Sequence, residues 1–218
     1  MKKIAVVLSG CGVFDGSEIH ESVLLLLELR RAGLAVEFFA PDVPQAHVVN
    51  HLAGEPAEKE TRQVLVEAAR IARGKVRDLA TARAAEFDGI AFPGGFGAAK
   101  NLCTFAFDGA AMKVNAEVER FVREASAAGK PMLFACISPV IAAKVVAQGV
   151  EVTLGADGPI AGVVAQWGGR HIATPVTSCH VDRHRKLVTV PAYMYDADIT
   201  DVATGIAAGV KAFAGLVG

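Results

Sequence analysis

The sequence predicts a doubly wound α/β fold, a mostly parallel sheet with helices on both faces, and three observations carry that expectation. Apolar, partly β-branched runs alternate with helical periods along the chain. Several of those runs are almost continuously apolar, as suits strands buried on both faces. Turns rich in glycine or bearing a thiol follow three of them, near Gly10, Pro93 and Cys136, where an open α/β sheet collects its ligand.

Taken in order, residues 3–9 read as a central strand and residues 17–31 as a helix in which Ile19, Val23, Leu26, Leu27 and Arg30 recur at helical spacing. Gly33 stands at that helix's C-terminal stop, and residues 34–39 make a second strand ended by Pro41. Residues 41–60 lack a strong period and carry three prolines, so they read as an ordered excursion. Residues 61–73 are helical up to Gly74, 75–79 a short strand, 82–86 a short helix, and 89–92 a buried strand delivering Pro93-Gly-Gly-Phe-Gly97. A helix over 114–128 closes at Gly129, a strand over 132–136 follows, and 138–147 forms the next helix. Strands are expected over 150–153, 172–180 and 187–190, and a last helix over about 199–213.

At 218 residues the chain suits one domain spanning 1–218. A net charge of −1, with basic residues scattered, gives no footprint for nucleic acid, and no basic amphipathic helix suggests membrane adsorption. A small molecule is the expected partner. Four distant cysteines in a chain able to build a core need no disulfide framework, so a reducing, cytoplasmic setting is expected. The start, with Lys2, Lys3 and Leu8-Ser-Gly-Cys11, imitates a lipoprotein signal, but its apolar stretch is shorter than the roughly 7–15 residues of an h-region. It reads instead as the first strand.

The chemistry centres on Cys136. In Lys130-Pro-Met-Leu-Phe-Ala-Cys-Ile-Ser-Pro139 an apolar strand stops at a thiol and restarts as helix, the layout of a nucleophile elbow. The alternative is a small buried hydrophobe at a strand end. Gly94 and Gly95 can bring backbone N–H groups close to a substrate, and with the N–H of Ile137 they would form an oxyanion site. Glu18, His20 and Glu21 begin the first helix beside the same cleft; with Glu18 and Glu21 three apart, one can cap the helix while the other points at the thiol. His20 lines the cleft or caps, and His51 reaches the cleft or satisfies its own loop. Cys11 and Cys103 read as packed neighbours. His171, Cys179, His180 and His184 do not form a zinc pattern, so neither metal nor cofactor is expected. The charge run 183–186 reads as a solvated hairpin.

These segments resemble the class I glutamine amidotransferase-like fold, within it the PfpI superfamily, and within that the ElbB family of isoprenoid-biosynthesis-associated, glyoxalase-like proteins. The carriers are Ser9-Gly-Cys-Gly-Val-Phe-Asp-Gly-Ser-Glu-Ile-His-Glu21, Asn50-His-Leu-Ala-Gly-Glu55, Phe92-Pro-Gly-Gly-Phe-Gly-Ala-Ala-Lys-Asn-Leu102, Cys136-Ile-Ser-Pro139 and Pro191-Ala-Tyr-Met194, together with 60–62 and 67–74. The resemblance implies a flavodoxin-like sandwich, a homodimer, a Cys136 nucleophile and a glutamate that keeps it reactive. Matching the first helix places that glutamate on Glu21, with Glu18 as the fallback. It further implies glutathione-independent conversion of glyoxal or methylglyoxal, small aldehydes, to a hydroxy acid. The chain departs from superfamily members that carry a His-Pro pair downstream of the elbow, because Thr174-Pro175 stands there. A redox-responsive or binding protein using the same thiol is the alternative, and glutamine hydrolysis, which needs a Cys-His-Glu triad, is the third reading.

Overall fold

The computed structural model describes residues 1–146 and 148–218. Its first strand, β1 (Lys3–Val7), shows why the sheet is buried on both sides: Ala5 and Val7 enter one core, Ile4 and Val6 the other. α1 (Ile19–Arg31) returns the chain to β2 (Ala35–Ala40). A small hairpin of β3 (Val49–Asn50) and β4 (Glu55–Pro56) precedes α2 (Val64–Ile71) and β5 (Val76–Asp78). Next come β6 (Gly89–Phe92), α3 (Phe96–Lys100), α4 (Phe105–Asp108) and α5 (Ala116–Ala127). β7 (Met132–Ala135) leads through the elbow into α6 (Pro139–Val145). β8 (Glu151–Val152), α7 (Pro159–Gln166) and β9 (Arg170–His171) form an outlying unit before β10 (His180–Asp182), β11 (Leu187–Val190) and α8 (Ile199–Val217).

The main sheet runs β10-β11-β7-β6-β1-β2-β5, and every pairing in it is parallel except β10 with β11. The chain winds outward from β1 through β2 to β5, then crosses back to β6 and winds the other way through β7 to β11. The winding therefore reverses between β1 and β6, the position where doubly wound sheets hold their ligands. The loops that leave β1, β6 and β7 all open there.

Each face has its own core. On one side Phe92 and Phe134 stack from adjacent strands, 4.5 Å apart and 6° from parallel, and Phe121 of α5 joins the same cluster. On the other, Leu25 and Leu29 of α1 meet Val202, Ile206 and Phe213 of α8 beneath the sheet. α8 is apolar enough in length and composition to cross a membrane, but it packs its buried stripe against α1 and β11.

Several expectations are corrected. The apolar spacing in α1 does not mark its buried face: Ile19, Val23 and Leu27 are 45%, 51% and 41% exposed, while Glu21, Ser22, Leu25 and Leu29 are buried. The helix is rotated to deliver Glu21 inward. Of the strand expected over 172–180 only His180 is extended, as the start of β10; Pro175 has no N–H to give a ladder, and its carbonyl instead accepts from Ser178 N at 3.0 Å in a turn. The strand expected over 150–153 pairs only with β9, in a separate two-stranded sheet. α7 was not expected, because its Gly-Pro start and apolar sequence lack an amphipathic period. The helix expected over 138–147 ends at Val145, and residue 147 lies outside the described residues. The charge run 183–186 does form the turn between β10 and β11.

Because Phe134 is fully buried in the stacked pair, Phe134→Ala should cost about 3–5 kcal/mol in urea unfolding. A loss below ~1 kcal/mol would mean that the stack adds little to the core.

Candidate active site

The elbow is a strained turn fixed from both sides. Cys136 has φ of +58°, a left-handed conformation that costs a residue with a Cβ roughly 1–2 kcal/mol. Its N–H donates to Val190 O at 2.8 Å, tying the turn to β11. Ser138 Oγ accepts the Ala135 N–H at 3.0 Å and sits 2.8 Å from Ala135 O and 3.1 Å from Phe92 O, tying it to β6. The thiol that results is only 8% exposed and forms part of the floor of a chamber.

Glu21, fully buried on α1, reaches this thiol. Its Oε2 accepts the Gly94 N–H at 2.9 Å and its Oε1 the Tyr193 N–H at 3.3 Å, which holds the carboxyl beside Cys136, close enough for each to perturb the other's titration. Burial, aided by the negative charge of Glu18, pushes the Glu21 carboxyl up to about 7. Burial and then the Glu21 charge push the Cys136 thiol well above its ordinary range, while the N–H groups of Gly95 and Ile137 pull it down. Among the described residues no lysine or arginine contributes to either shift. The two acids therefore compete for protons: when Glu21 holds one it can donate to a thiolate, and when it is ionised it keeps the thiol neutral.

Glu18 caps α1, its carboxylate accepting the Glu21 N–H at 2.6 Å, and it also lines the chamber. Of the two glutamates, one caps and one faces the sulfur. Gly94 must be glycine, since a Cβ there would overlap the Cys136 Cβ and crowd Glu21 Oε2. Its N–H is committed to the carboxylate, so Gly94 holds Glu21 rather than contributing to the expected oxyanion site. Gly95, at φ of +93°, turns its N–H toward the sulfur alongside that of Ile137. His20 is exposed and bonds Tyr193 Oη through Nδ1 at 2.9 Å; it buttresses a wall instead of lining the chamber.

The chamber above Cys136 holds about 360 Å³ and is walled by Val13, Phe96, Phe105, Ile160, Tyr193 and Met194. Its mouth loop, 10–17, is pinned by residues that sequence reasoning did not single out. Asn101 Nδ2 donates to Ser9 O at 2.9 Å and Asp15 O at 2.8 Å, and Asp15 Oδ2 accepts the Val49 N–H at 2.7 Å. Tyr193 stands within Pro191-Ala-Tyr-Met194 with no residue pattern of its own. No local pattern marks such residues, because their partners lie dozens of positions away.

The remaining candidates lie elsewhere. His51 Nε2 accepts the Phe14 N–H of the mouth loop at 3.2 Å and its Nδ1 lies 3.0 Å from Val49 O, so it braces that loop without lining the chamber. The charged neighbours of Cys11 are Glu67, Arg70 and Asp15, and Cys103 is buried against the Ala98 carbonyl. His171, its side chain 3% exposed, lines a neighbouring cavity of about 240 Å³ that shares only Ile160 and Met194 with the chamber. Its Nδ1 lies 3.3 Å from Asp157 Oδ1, outside hydrogen-bonding geometry.

Since folding raises Glu21 from 4.5 to about 7, its protonated form is favoured in the native state, and the stability this confers is whole below about pH 4.5 and lost as pH rises through about 7. The shift corresponds to roughly 3 kcal/mol. Urea titrations from about pH 5 to 8.5 should show wild-type stability falling with pH, and Glu21→Gln should flatten that slope; parallel slopes would remove Glu21 as its source.

Comparison with known proteins places this site in a family. No family model matches the chain. The Rattus norvegicus "ES1 protein homolog, mitochondrial" is 52% identical over 225 residues, covering 99% of this chain and 84% of the relative. The Homo sapiens "Glutamine amidotransferase-like class 1 domain-containing protein 3, mitochondrial" is 50% identical over 225 residues with the same coverage. A crystal structure of an isoprenoid biosynthesis protein with an amidotransferase-like domain from Ehrlichia chaffeensis superposes with a TM-score of 0.93 at 38% identity, covering 100% of both chains. The flavodoxin-like, amidotransferase-like architecture is thus shown. The cytoplasmic expectation is overturned, since both curated relatives are named mitochondrial; cysteine usage distinguishes reducing from oxidising surroundings, not one reducing compartment from another. At half or more identity over nearly its whole length, the chain belongs to the family of ES1 and glutamine amidotransferase-like class 1 domain-containing proteins.

Proposed function

We propose that this protein is a glutathione-independent, glyoxalase-like enzyme that converts glyoxal, or methylglyoxal, to the corresponding hydroxy acid through Cys136. The observation that carries the reading is a strained thiol held between a buried carboxyl and an open chamber. The Cys136 sulfur adds to the aldehyde carbon, forming a C–S bond as its proton passes to Glu21. The N–H groups of Gly95 and Ile137 hold the hemithioacetal oxygen, which then takes that proton from Glu21 and leaves the carboxylate free to act as base. The hydrogen on that carbon leaves as a proton and returns to the neighbouring carbonyl carbon, so one carbon is oxidised and the other reduced with no external oxidant. Glu21 carries this proton, for which a pKa of about 7 suits it. Water then cleaves the thioester C–S bond, releasing glycolate from glyoxal and restoring the thiol.

Glutamine hydrolysis is disfavoured, because no imidazole is among the chamber's lining residues to act as the triad base. The relatives' names favour a mitochondrial setting. The outward stripe of Ile19, Val23 and Leu27 on α1 supports a homodimer. Val23→Lys should shift sedimentation toward the monomer without lowering the melting temperature; an unchanged wild-type monomer would dismiss the dimer.

Wild-type protein with glyoxal should accumulate glycolate catalytically by NMR, and Cys136→Ser, folded by circular dichroism, should lose at least ~100-fold of that rate. Stoichiometric aldehyde trapping without glycolate would refute turnover.

A further inference from the structure

The chamber is poorly matched to glyoxal itself. At about 360 Å³ it exceeds by several-fold a four-heavy-atom dialdehyde, which fills roughly two water volumes, ~60 Å³. Its walls are apolar: Val13, Phe96, Phe105, Ile160 and Met194 supply hydrocarbon or ring surface, and Phe96 stays 49% exposed at their edge. Such walls around a small, hydrated substrate would gain nothing from desolvation.

Polarity is confined to the end where the sulfur sits. There Glu18 presents a carboxyl, with Glu21 buried behind the sulfur, Gly95 and Ile137 present N–H groups, and no lysine, arginine or histidine is among the lining residues. A ligand carrying a carboxylate or phosphate would meet the Glu18 carboxyl and no counter-charge among the lining residues, at a cost that rises with burial. An uncharged ligand with one reactive polar end and an apolar body meets neither penalty.

We infer that the preferred substrate is an uncharged 2-oxoaldehyde bearing an apolar body, of aryl or branched-alkyl size, with its aldehyde at Cys136 and its body between Phe96, Phe105 and Ile160. This rests on the thiol–aldehyde reading and names the substrate class for the same site. The chemistry balances as for glyoxal: R–CO–CHO and water give R–CH(OH)–COOH, with thiol addition at C1, proton transfer from C1 to C2, and hydrolysis of the thioester. The product is a carboxylate formed beside Glu18 and Glu21, so the charge pattern that admits the neutral substrate also expels the acid.

Phenylglyoxal is a suitable probe, since its ten heavy atoms occupy roughly 150 Å³ and fit the chamber. Its hydroxy acid, followed by NMR, should form with kcat/KM at least about tenfold above that of glyoxal, given what one or more buried carbons contribute to specificity. Ala106→Trp, which adds bulk at an exposed lining position, should reduce that ratio. Turnover of glyoxal with an equal or lower kcat/KM for phenylglyoxal would overturn the inference and leave the glyoxalase reading standing. If neither aldehyde is turned over, that reading fails, and binding decides the rest. Saturable binding of acetophenone, weakened by Ala106→Trp and not matched by benzoate of similar size, would uphold a neutral apolar ligand class. No acetophenone binding, or tighter binding of benzoate, would overturn it.

Discussion

Burying a carboxyl against a thiol, with no cation supplied to either, is the constraint around which the rest of this structure is arranged. Two acids in one dry site cannot both ionise at ordinary pH, so the pair keeps a proton and can pass it between oxygen and sulfur. Holding them together requires three separate segments. α1 turns Glu21 inward at the expense of leaving Ile19, Val23 and Leu27 outside, the loop after β6 places a glycine where any side chain would collide, and the elbow after β7 accepts a left-handed cysteine. Each departs from what its own segment would prefer, which is the usual mark of a site assembled for chemistry.

The sheet makes those departures tolerable. Because the winding reverses between β1 and β6, the loops that follow β1, β6 and β7 end beside one another without long connections. Phe92 and Phe134, stacked on adjacent strands just before two of those loops, stiffen the base from which Gly94 and Cys136 project. Asn101 and Asp15 do the same for the mouth by satisfying loop backbone that would otherwise be buried without partners. The outlying β8–α7–β9 unit supplies Ile160, so the chamber's far wall comes from chain that takes no part in the main sheet.

The same arrangement separates chemistry from recognition. The polar end of the chamber is built by backbone N–H groups and Glu18, with Glu21 buried behind the sulfur, whereas its apolar walls come from short helices and loops. The walls can therefore change with little effect on the thiol–carboxyl pair. His171, withdrawn into the adjacent cavity, belongs to neither part.

Much of this was legible in the chain. The strands at β1, β6, β7 and β11, the elbow cysteine and the glycine pair stand out because backbone propensity and apolar runs are local properties, written in consecutive residues. The pairing of one glutamate as cap and the other as reactive neighbour was expressible as an alternative from their three-residue spacing, but spacing could not choose between helix rotations. Packing against α8 and the sheet made that choice, and it reversed the face that hydrophobic periodicity favoured in α1. Pro175 likewise turned a β-branched run into a loop, and Gly94 gave its N–H to Glu21 rather than to the chamber. The sequence by itself determined the strands, the elbow and the identity of the reactive groups, since these follow from local chemistry; only the tertiary structure decided which way Glu21 faces, what lines the chamber and how high the two acids titrate, because those depend on burial and on partners brought from distant parts of the chain.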